Sequence, residues 1–359
     1  MRKVEVPLGE RSYEVLIGDG LLDRAGELLA PYGRGGRQIV VADEGAWAAQ
    51  GERLKEAALG MELITIPPGE ASKSWSGLES LVEKLLALGV ERGDHIVAFG
   101  GGMVGDLAGF AASILKRGCG VVQIPTTLLA QVDSSVGGKT AINAAAGKNL
   151  IGAFHQPAVV LIDPSTLDTL AVRQLRAGYA ETVKYGLIGD PGFFAWCESN
   201  GAALLAGDGD ARAFAIETCV RAKAAIVAAD ERESGGKRAL LNFGHTFGHA
   251  LEAEAGYSDA LLHGEAVSIG MALAFRFSVE RGLCPAADSE RVDAHLAAVG
   301  LPVKARIAEV RSFAALMASD KKRIAGQMVF VLTRGIGKAF VDKSVELAEV
   351  EDFLRRQPG

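Results

Sequence analysis

The chain has 359 residues, 49% of them hydrophobic and 23% charged, and its formal net charge is −6 at pH 7. This composition is typical of a globular protein, and an acidic balance without any basic run argues against nucleic acid as a partner. No apolar stretch reaches the roughly 20 residues that a membrane-spanning helix requires, and the N-terminus lacks the apolar segment of a signal peptide. The four cysteines form no CxxC pair, which is typical of a reducing compartment. We therefore expect a cytoplasmic protein that binds neither nucleic acid nor membrane.

Alternating strands and helices are predicted for the first half of the chain. Residues 3–6 and 13–17 alternate apolar and polar side chains around a short turn, which predicts a β-hairpin. Residues 78–88 show helical spacing that ends at a glycine. Apolar segments typical of buried strands occupy residues 38–42, 62–66, 95–99, 121–124 and 159–162. This order predicts an α/β domain with a Rossmann-like parallel sheet, covered by helices on both faces.

The second half has a different pattern, because apolar residues recur there at helical spacing. The predicted helices cover residues 166–188, 210–229, 244–255, 263–281 and 288–298. One late pair of strands is predicted at residues 328–332 and 338–341. We therefore predict an α/β domain over residues 1–165 and a mainly α-helical C-terminal domain over residues 166–359, with a ligand-binding cleft where they meet.

A glycine-rich turn follows one of the predicted strands. The segment Gly100-Gly101-Gly102-Met-Val-Gly105 satisfies the G-x-G-x-x-G pattern and precedes a predicted helix. In such a turn the backbone can approach a pyrophosphate, whose charge the helix N-terminus favours. The usual acidic residue about 20 positions later is missing, and the best ribose-binding carboxylate lies earlier, at Asp43. The pattern predicts either a dinucleotide site of unusual topology or a tight strand–helix turn.

Three of the six histidines lie close together in the sequence, at His245, His249 and His263. His245 and His249 are four residues apart and share one face of a helix, and His263 can return to that face from the next helix. Converging neutral imidazoles are a common way to bind a divalent transition metal. Core histidines with ordinary hydrogen bonds are the alternative. The grouping of three favours a metal site, but the spacing does not indicate which two histidines bind.

Lysines accompany two further glycine-rich turns, at residues 133–140 and 147–149. The first turn is not a Walker A loop, because Asp133 occupies a position that requires glycine. Lys139 and Lys148 nevertheless offer ammonium groups on flexible backbone, which suits a phosphate group of a substrate. Solvated surface lysines are the alternative.

A carboxylate and an ammonium group stand three residues apart in a predicted helix, at Glu181 and Lys184. Such a pair usually forms a surface ion pair. Alternatively, Glu181 is a third metal ligand and Lys184 contacts the substrate. Further polar side chains stand among the apolar helices of the second half, at Lys223, Arg238, Asn242 and Lys338.

Together these motifs resemble those of the 3-dehydroquinate synthases, which are sugar phosphate cyclases. The resemblance extends over nearly the whole chain, with the motifs in the order and spacing of that family. One of the longest is Leu241-Asn-Phe-Gly-His-Thr-Phe-Gly-His-Ala250. The others cover residues 68–73, 100–106, 123–140, 147–152, 180–184 and 263–265.

The resemblance implies an NAD- and metal-dependent carbon–oxygen lyase of the shikimate pathway, with Zn²⁺ or Co²⁺ bound. Similar enzymes convert 3-deoxy-D-arabino-heptulosonate 7-phosphate to 3-dehydroquinate and inorganic phosphate. They do so through transient oxidation by NAD, elimination of phosphate, re-reduction and an intramolecular aldol reaction. The resemblance also implies a homodimer. The alternatives are another sugar phosphate cyclase, a metal-dependent polyol dehydrogenase, which would accumulate NADH, and a non-catalytic metal-binding module.

The resemblance further implies roles for individual residues. The metal ligands that it implies are Glu181, His245 and His263. Catalytic residues around the phosphate would be Lys139, Asn149, His249 and Lys338, with Arg117 supplied by a partner subunit. Catalytic residues around the carboxylate and hydroxyl groups would be Asp133, Lys184, Lys223, Arg238 and Asn242. Contacts with NAD would come from Asp43, Glu70, Lys73, Gly101, Gly102, Asp106, Thr126, Thr127, Lys139 and Lys148. Glu233 lies in a loop that is one residue longer than the family pattern, so its contact with substrate is left open.

Overall fold

The computed structural model describes residues 1–58, 60–145, 147–233, 236–320 and 329–357. The chain forms two compact units. The first comprises Met1–Ala171 and Gly207–Arg232, and the second comprises Val172–Ala206 and Glu233–Gly359. The chain therefore passes from the first unit into the second at Val172, returns to the first unit for Gly207–Arg232, and then completes the second unit.

The helices and strands alternate in the first unit, whereas helices dominate the second. The strands are β1 (Arg2–Val6), β2 (Tyr13–Ile17), β3 (Gln38–Asp43), β4 (Met61–Ile66), β5 (His95–Gly100), β6 (Gly120–Pro125), β7 (Lys139–Ala144), β8 (Gly147–Phe154), β9 (Val159–Ile162), β10 (Phe330–Thr333) and β11 (Ala339–Asp342). The α-helices are α1 (Ala25–Leu29), α2 (Glu44–Ala57), α3 (Trp75–Ala87), α4 (Gly102–Ile114), α5 (Val172–Gly189), α6 (Pro191–Ala206), α7 (Gly209–Ala229), α8 (His245–Glu254), α9 (His263–Glu280), α10 (Ala286–Ala298), α11 (Val310–Asp320) and α12 (Leu347–Arg355).

The first unit is built on a seven-stranded sheet in the order β1-β2-β9-β6-β5-β3-β4. All neighbours are parallel except the hairpin of β1 and β2. Alternate residues of β3 enter two separate apolar clusters, Ile39 and Val41 in one and Val40 and Ala42 in the other. A strand buried on both faces must be apolar throughout, which explains its continuous hydrophobic run. The predicted parallel α/β sheet is confirmed.

The helix α7 belongs to the first unit, although α5 and α6 of the second unit precede it in the chain. It packs against β1 and against a π-helical turn at Ala130–Ser134. An ion pair of 2.7 Å between Arg2 and Glu217 also joins β1 to α7. The contiguous domains predicted for residues 1–165 and 166–359 differ from the compact units in this segment, because helical periodicity does not reveal what a helix packs against. As a division of function, that boundary stays a prediction.

Two helices of the second unit approach each other closely through glycine. A Cβ atom on Gly270 of α9 would lie 1.9 Å from the carbonyl oxygen of Gly244, which directly precedes α8. Likewise, a Cβ atom on Gly264 would lie 1.9 Å from the carbonyl oxygen of Ala177 in α5. These contacts pack the start of α8 against the middle of α9, and the start of α9, which carries His263, against α5.

Several elements differ from the predicted ones. The strands β7 and β8 pair as an antiparallel hairpin where lysine-bearing turns were predicted, and α1, α2, α6, α11 and α12 were not predicted. The late strand pair is confirmed as β10 and β11, although the first predicted strand begins at Met328, which lies outside the described residues. Among the helices that the structure describes, none combines the length and apolar character needed to span a membrane.

We predict that Gly270→Ala lowers the free energy of unfolding, because the added methyl group meets the Gly244 carbonyl oxygen at 1.9 Å. Overpacking of this kind costs about 1–3 kcal/mol, which outweighs the roughly 1 kcal/mol that alanine gains over glycine in a helix. Urea unfolding followed by circular dichroism measures the effect. Gly189→Ala is the matched control, since a Cβ atom at that position meets nothing within 4 Å. Equal unfolding midpoints for the two variants would contradict the prediction.

Candidate functional site

Three side chains of the second unit converge as a possible metal-ligand group. Glu181 lies in α5, His245 begins α8 and His263 begins α9. One ligand atom from each residue lies within 4.8 Å of the other two. The structure therefore brings together the three residues that the family resemblance implies, and it draws them from three separate helices.

The two imidazoles present the same nitrogen to the carboxylate. The Nε2 atoms of His245 and His263 each lie 3.4 Å from Oε1 of Glu181. On the other side of each ring, Nδ1 of His245 lies 3.2 Å from the carbonyl oxygen of Phe243, and Nδ1 of His263 lies 3.0 Å from Oε2 of Glu252. Because both partners only accept, both Nδ1 atoms carry hydrogen and donate it. In each ring Nε2 is then the nitrogen that faces Glu181 and can bind a cation, which at His263 would replace a proton.

The carboxylate of Glu181 is almost fully buried, with 1% of the residue exposed. Among the described residues, neither of its oxygens accepts a hydrogen bond, although Lys184 forms an ion pair with Oε2. A buried carboxylate is stable only when a cation or hydrogen bonds balance its charge. Oε1 of Glu181 and the two imidazole nitrogens that face it match the sites in which three protein ligands bind Zn²⁺ or Co²⁺ and leave coordination positions for substrate. The residues therefore fit a divalent metal.

The protonation of the two imidazoles differs because their neighbours differ. Burial and the nearby charge of Lys184 hold the pKa of His245 well below its usual value, so this ring is neutral. Burial alone would lower the pKa of His263, but the negative charges of Glu252 and Glu181 outweigh it and raise that pKa to about 10. A proton or a cation therefore balances the carboxylates around His263.

His249 stands one helical turn after His245, and their ring centroids are 5.2 Å apart. It groups with Glu252 and His263 rather than with Glu181, again with ligand atoms within 4.8 Å of one another. The shared helix face that the sequence predicted is therefore present. The two rings nevertheless belong to different side-chain groups, which the spacing alone did not distinguish.

An arginine holds the turn that leads into His263. Arg173 binds the carboxylate of Glu265 through two nitrogens at 2.7 Å and donates to the carbonyl oxygens of Asp259 and Ala260. Glu265 in turn accepts a hydrogen bond of 2.9 Å from the backbone nitrogen of Leu262, which satisfies one donor at the start of α9. These contacts fix the helix end that carries His263. Arg173 lies outside the motifs that the sequence offers.

The glycine-rich turn of the first unit lies between β5 and α4. Gly100 has φ of 150°, and a Cβ atom there would lie 3.0 Å from Cβ of Asp43 at the end of the neighbouring strand β3. A Cβ atom on Gly101 would lie 3.2 Å from Cγ2 of Thr127, and Thr126 donates its backbone N–H to the Gly100 carbonyl oxygen at 2.9 Å. The turn thus gathers four of the residues expected to contact NAD, at the N-terminus of a 13-residue helix.

A second group of the first unit surrounds Lys73, whose ammonium is buried. Its Nζ atom lies 2.7 Å from Oδ2 of Asp106 and 2.5 Å from Oδ1 of Asn149, and 3.7 Å from Oε1 of Glu70. Burial alone would lower the pKa of Lys73, but the carboxylates of Asp106 and Glu70 outweigh it and raise that pKa. Burial raises the pKa of Asp106 despite the neighbouring ammonium. Three residues expected to contact NAD therefore join Asn149, which was expected near the phosphate.

Another ion pair of the first unit connects α7 to the π-helical turn. Lys223 donates to the backbone carbonyl oxygen of Asp133 at 2.7 Å and forms an ion pair with its carboxylate. Both residues were expected to contact the carboxylate and hydroxyl groups of a substrate. Lys139 lies at the exposed start of β7, and Lys148 lies in β8, the strand paired with it.

The remaining predicted residues occupy turns. Arg238 and Asn242 share a 3-10 turn, where Arg238 is 1% exposed and its Nε lies 3.7 Å from Oε1 of Glu233. Lys338 ends the turn between β10 and β11. Arg117 follows α4 on the surface of the first unit and has a φ of 71°, a conformation that non-glycine residues seldom adopt. The roles expected for these residues stay predictions.

Comparison with known proteins decides the family. Two family models match, described as the 3-dehydroquinate synthase N-terminal domain over residues 63–177 and the C-terminal domain over residues 178–323. The chain belongs to the 3-dehydroquinate synthase family. The 3-dehydroquinate synthase of Zymomonas mobilis is 56% identical over 359 residues, covering 98% of this chain and 95% of its own. That of Caulobacter vibrioides is 57% identical over 366 residues, covering 99% and 98%.

Solved structures of related cyclases share the fold of this family member. A 2-epi-5-epi-valiolone synthase from Streptomyces hygroscopicus, with NAD⁺ and Zn²⁺ bound, has a TM-score of 0.90 and 32% identity over 97% of each chain. A 2-deoxy-scyllo-inosose synthase with carbaglucose-6-phosphate, NAD⁺ and Co²⁺ has a TM-score of 0.86 and 26% identity over 99% of each chain. An iron-containing alcohol dehydrogenase, with a TM-score of 0.67 and 16% identity, shares the fold alone. The predicted cofactors agree with those bound in the two cyclases.

We predict that Lys184→Met destabilises the protein in the presence of a chelator and that Zn²⁺ reverses most of the loss. Removing the ammonium breaks a buried ion pair of Glu181, and breaking such a pair typically costs about 3–5 kcal/mol. A divalent cation on Glu181 restores the balance. Urea unfolding of the parent and variant, each with EDTA and with Zn²⁺, measures both effects.

Lys55→Met is the matched control for this experiment. Lys55 forms the same three-residue pair with Glu52, at 3.5 Å, but both side chains are exposed. Exposed pairs contribute little, so this variant should resemble the parent with or without metal. An equal destabilisation of Lys184→Met in EDTA and in Zn²⁺ would show that the cation does not balance Glu181.

Proposed function

We propose that this chain catalyses the conversion of 3-deoxy-D-arabino-heptulosonate 7-phosphate to 3-dehydroquinate and inorganic phosphate. The observation that carries the proposal is the group of Glu181, His245 and His263, in which two imidazole Nε2 atoms face one buried carboxylate oxygen. This group occurs in a chain that is 56% and 57% identical to two 3-dehydroquinate synthases over nearly its whole length. Within the proposal the enzyme is a carbon–oxygen lyase that depends on NAD and on Zn²⁺ or Co²⁺.

The cofactors and this chain's side chains have separate tasks in the proposed reaction. When bound, NAD supplies a reversible hydride acceptor, and the divalent cation supplies a Lewis acid for substrate oxygens. Glu181, His245 and His263 would hold the cation. The glycine turn at residues 100–102, with Asp43, would hold the dinucleotide, because its backbone can approach a pyrophosphate at a helix N-terminus.

The charged side chains position the substrate and stabilise its charge. Lys139, Asn149, His249 and Lys338 would bind the phosphate, and Lys223, Arg238 and Asn242 would bind the carboxylate and hydroxyl groups. Asp133 and Lys184 would also contact hydroxyl groups. Fixed cations lower the energy of a departing phosphate dianion without having to reorganise during the reaction. His249 has an imidazole next to Glu252, so it can hold or transfer a proton at the phosphate side.

The oligomeric state and the cellular location complete the proposal. We propose a homodimer in which Arg117, exposed on its own subunit, contributes to the phosphate site of the partner. We also propose that the protein works in the cytoplasm. Contact of Glu233 with substrate is not part of the proposal, since its carboxylate lies beside Arg238.

We predict that His245→Ala and His249→Ala differ in bound metal. His245 directs Nε2 at Glu181, so its loss should remove most of the metal together with activity. His249→Ala should keep metal near the parent's occupancy and lose most turnover, because its imidazole belongs to the other side-chain group. Metal analysis of the two purified variants, alongside phosphate release, tests this difference. Equal loss of metal in both would mean that the ligand set is wrong.

We also predict that turnover requires NAD in only catalytic amount. Phosphate release from the heptulosonate phosphate should depend on NAD and should stop on addition of a chelator, while absorbance at the wavelength of reduced nicotinamide stays flat. The physical reason is that the hydride removed from the substrate returns to it within the same turnover. NADH formed in proportion to product would instead favour a polyol dehydrogenase. Formation of a different ring would favour another sugar phosphate cyclase.

A further inference from the structure

A second buried carboxylate stands behind the possible metal site. Glu252 lies near the end of α8 and is only 3% exposed. Its Oε2 atom accepts a hydrogen bond of 3.0 Å from Nδ1 of His263, on the side of the ring opposite to the Nε2 atom that faces Glu181. The imidazole of His263 is thus held between two carboxylates from two different helices.

The helix packing explains why Glu252 reaches this ring. Glu252 follows His245 by seven residues, or about two helical turns, so both lie on the same face of α8. That face is held against α9, where a Cβ atom on Gly248 would lie 3.2 Å from the carbonyl oxygen of Ala266. The close approach of the two helices places the end of α8 beside the start of α9, which begins at His263.

We propose that Glu252 is a positioning residue that holds His263 in the orientation and tautomer needed to bind a divalent cation through Nε2. The inference rests on the proposed metal-dependent function. A carboxylate that accepts the Nδ1 hydrogen leaves the lone pair on Nε2, fixes the plane of the ring, and makes the ligand nitrogen a stronger donor.

The two histidines of the group differ in this respect. His245 donates its Nδ1 hydrogen to the neutral backbone carbonyl of Phe243, at 3.2 Å, whereas His263 donates to a charged side chain at a shorter distance. Charge-assisted hydrogen bonds are roughly twice as strong as neutral ones. His263 therefore depends on a side chain that a substitution can remove, while the support of His245 belongs to the backbone.

The test is the affinity of the protein for Zn²⁺, measured by competition with a chromophoric chelator and without substrate or turnover. Glu252→Gln keeps an acceptor of similar shape but loses the charge, and we expect Zn²⁺ to bind about tenfold more weakly, at the low end of the 10–100-fold range for such partners. Glu252→Ala removes the acceptor, and its loss should approach the upper end of that range. Replacing Zn²⁺ by Co²⁺ should give a visible absorption spectrum in Glu252→Ala that differs from the parent's, because the ligand ring is no longer held.

Glu254→Gln is the matched control. Glu254 lies two residues further along α8, is exposed, and accepts a hydrogen bond from the backbone nitrogen of Ala308 rather than from an imidazole. The substitution changes the net charge of the same helix by the same amount, so the affinity for Zn²⁺ and the Co²⁺ spectrum should match those of the parent. Circular dichroism in EDTA identifies the conditions under which every variant is folded, and the affinities are compared there.

Three results would overturn the inference. Parent-like Zn²⁺ affinity in both Glu252 variants would mean that the carboxylate does not support the ligand. Two equivalents of Zn²⁺ in the parent and one in Glu252→Gln would make Glu252 a metal ligand itself, with His249 and His263. A parent protein that binds no divalent cation would remove the proposed metal site as well, so the failure of the proposed function is distinguishable from the failure of this inference alone.

Discussion

The buried carboxylate of Glu181 is the constraint on which the arrangement of the surrounding helices in the second unit depends. A carboxylate that is removed from water must be balanced by nearby positive charge or by hydrogen bonds. Without them its burial costs several kcal/mol of folding free energy. Around Glu181 the balance comes from Lys184 and from imidazoles on two other helices. The glycines that let α8, α9 and α5 approach each other have their role here, since larger side chains would move those imidazoles away from the carboxylate. The close packing of these helices and the charge balance of Glu181 therefore depend on the same glycine contacts.

The first unit follows the same principle with different partners. Lys73 is paired with Asp106, and Lys223 with Asp133. Charged groups that the proposed reaction assigns to ligands thus already balance one another. A ligand that binds such a group exchanges one ionic partner for another, so the cost of removing the group from water was met when the protein folded. Pre-arranged charges of this kind favour positioning and charge stabilisation over a large number of separate acids and bases.

The sequence predicts the strands of the sheet and the candidate metal ligands better than it predicts the side chains and helices that pack around them. Continuous apolar runs predict strands such as β3 because a strand buried on both faces has no polar positions. The hairpin of β7 and β8 was not predicted, because its glycine, lysine and asparagine residues resemble a loop. Nor did local periodicity reveal that α7 packs with the first unit. At the candidate site, the family resemblance implied Glu181, His245 and His263, whereas Glu252 and Arg173 were not identified. Their partners lie on other segments, and only the packing of helices brings such pairs together.

The division of the chain into units has a consequence for the order in which the protein is made. The first unit lacks α7 until the chain up to about residue 232 has emerged from the ribosome, and α5 and α6 of the second unit emerge before it. Until that point β1 and the π-helical turn that carries Asp133 lack their contacts with α7. Nascent chains fold by domains as they emerge, but here neither unit can be completed from a continuous stretch. All seven strands of the sheet are present by Ile162, so the sheet waits for α7 to cover β1 while part of the second unit is already being made.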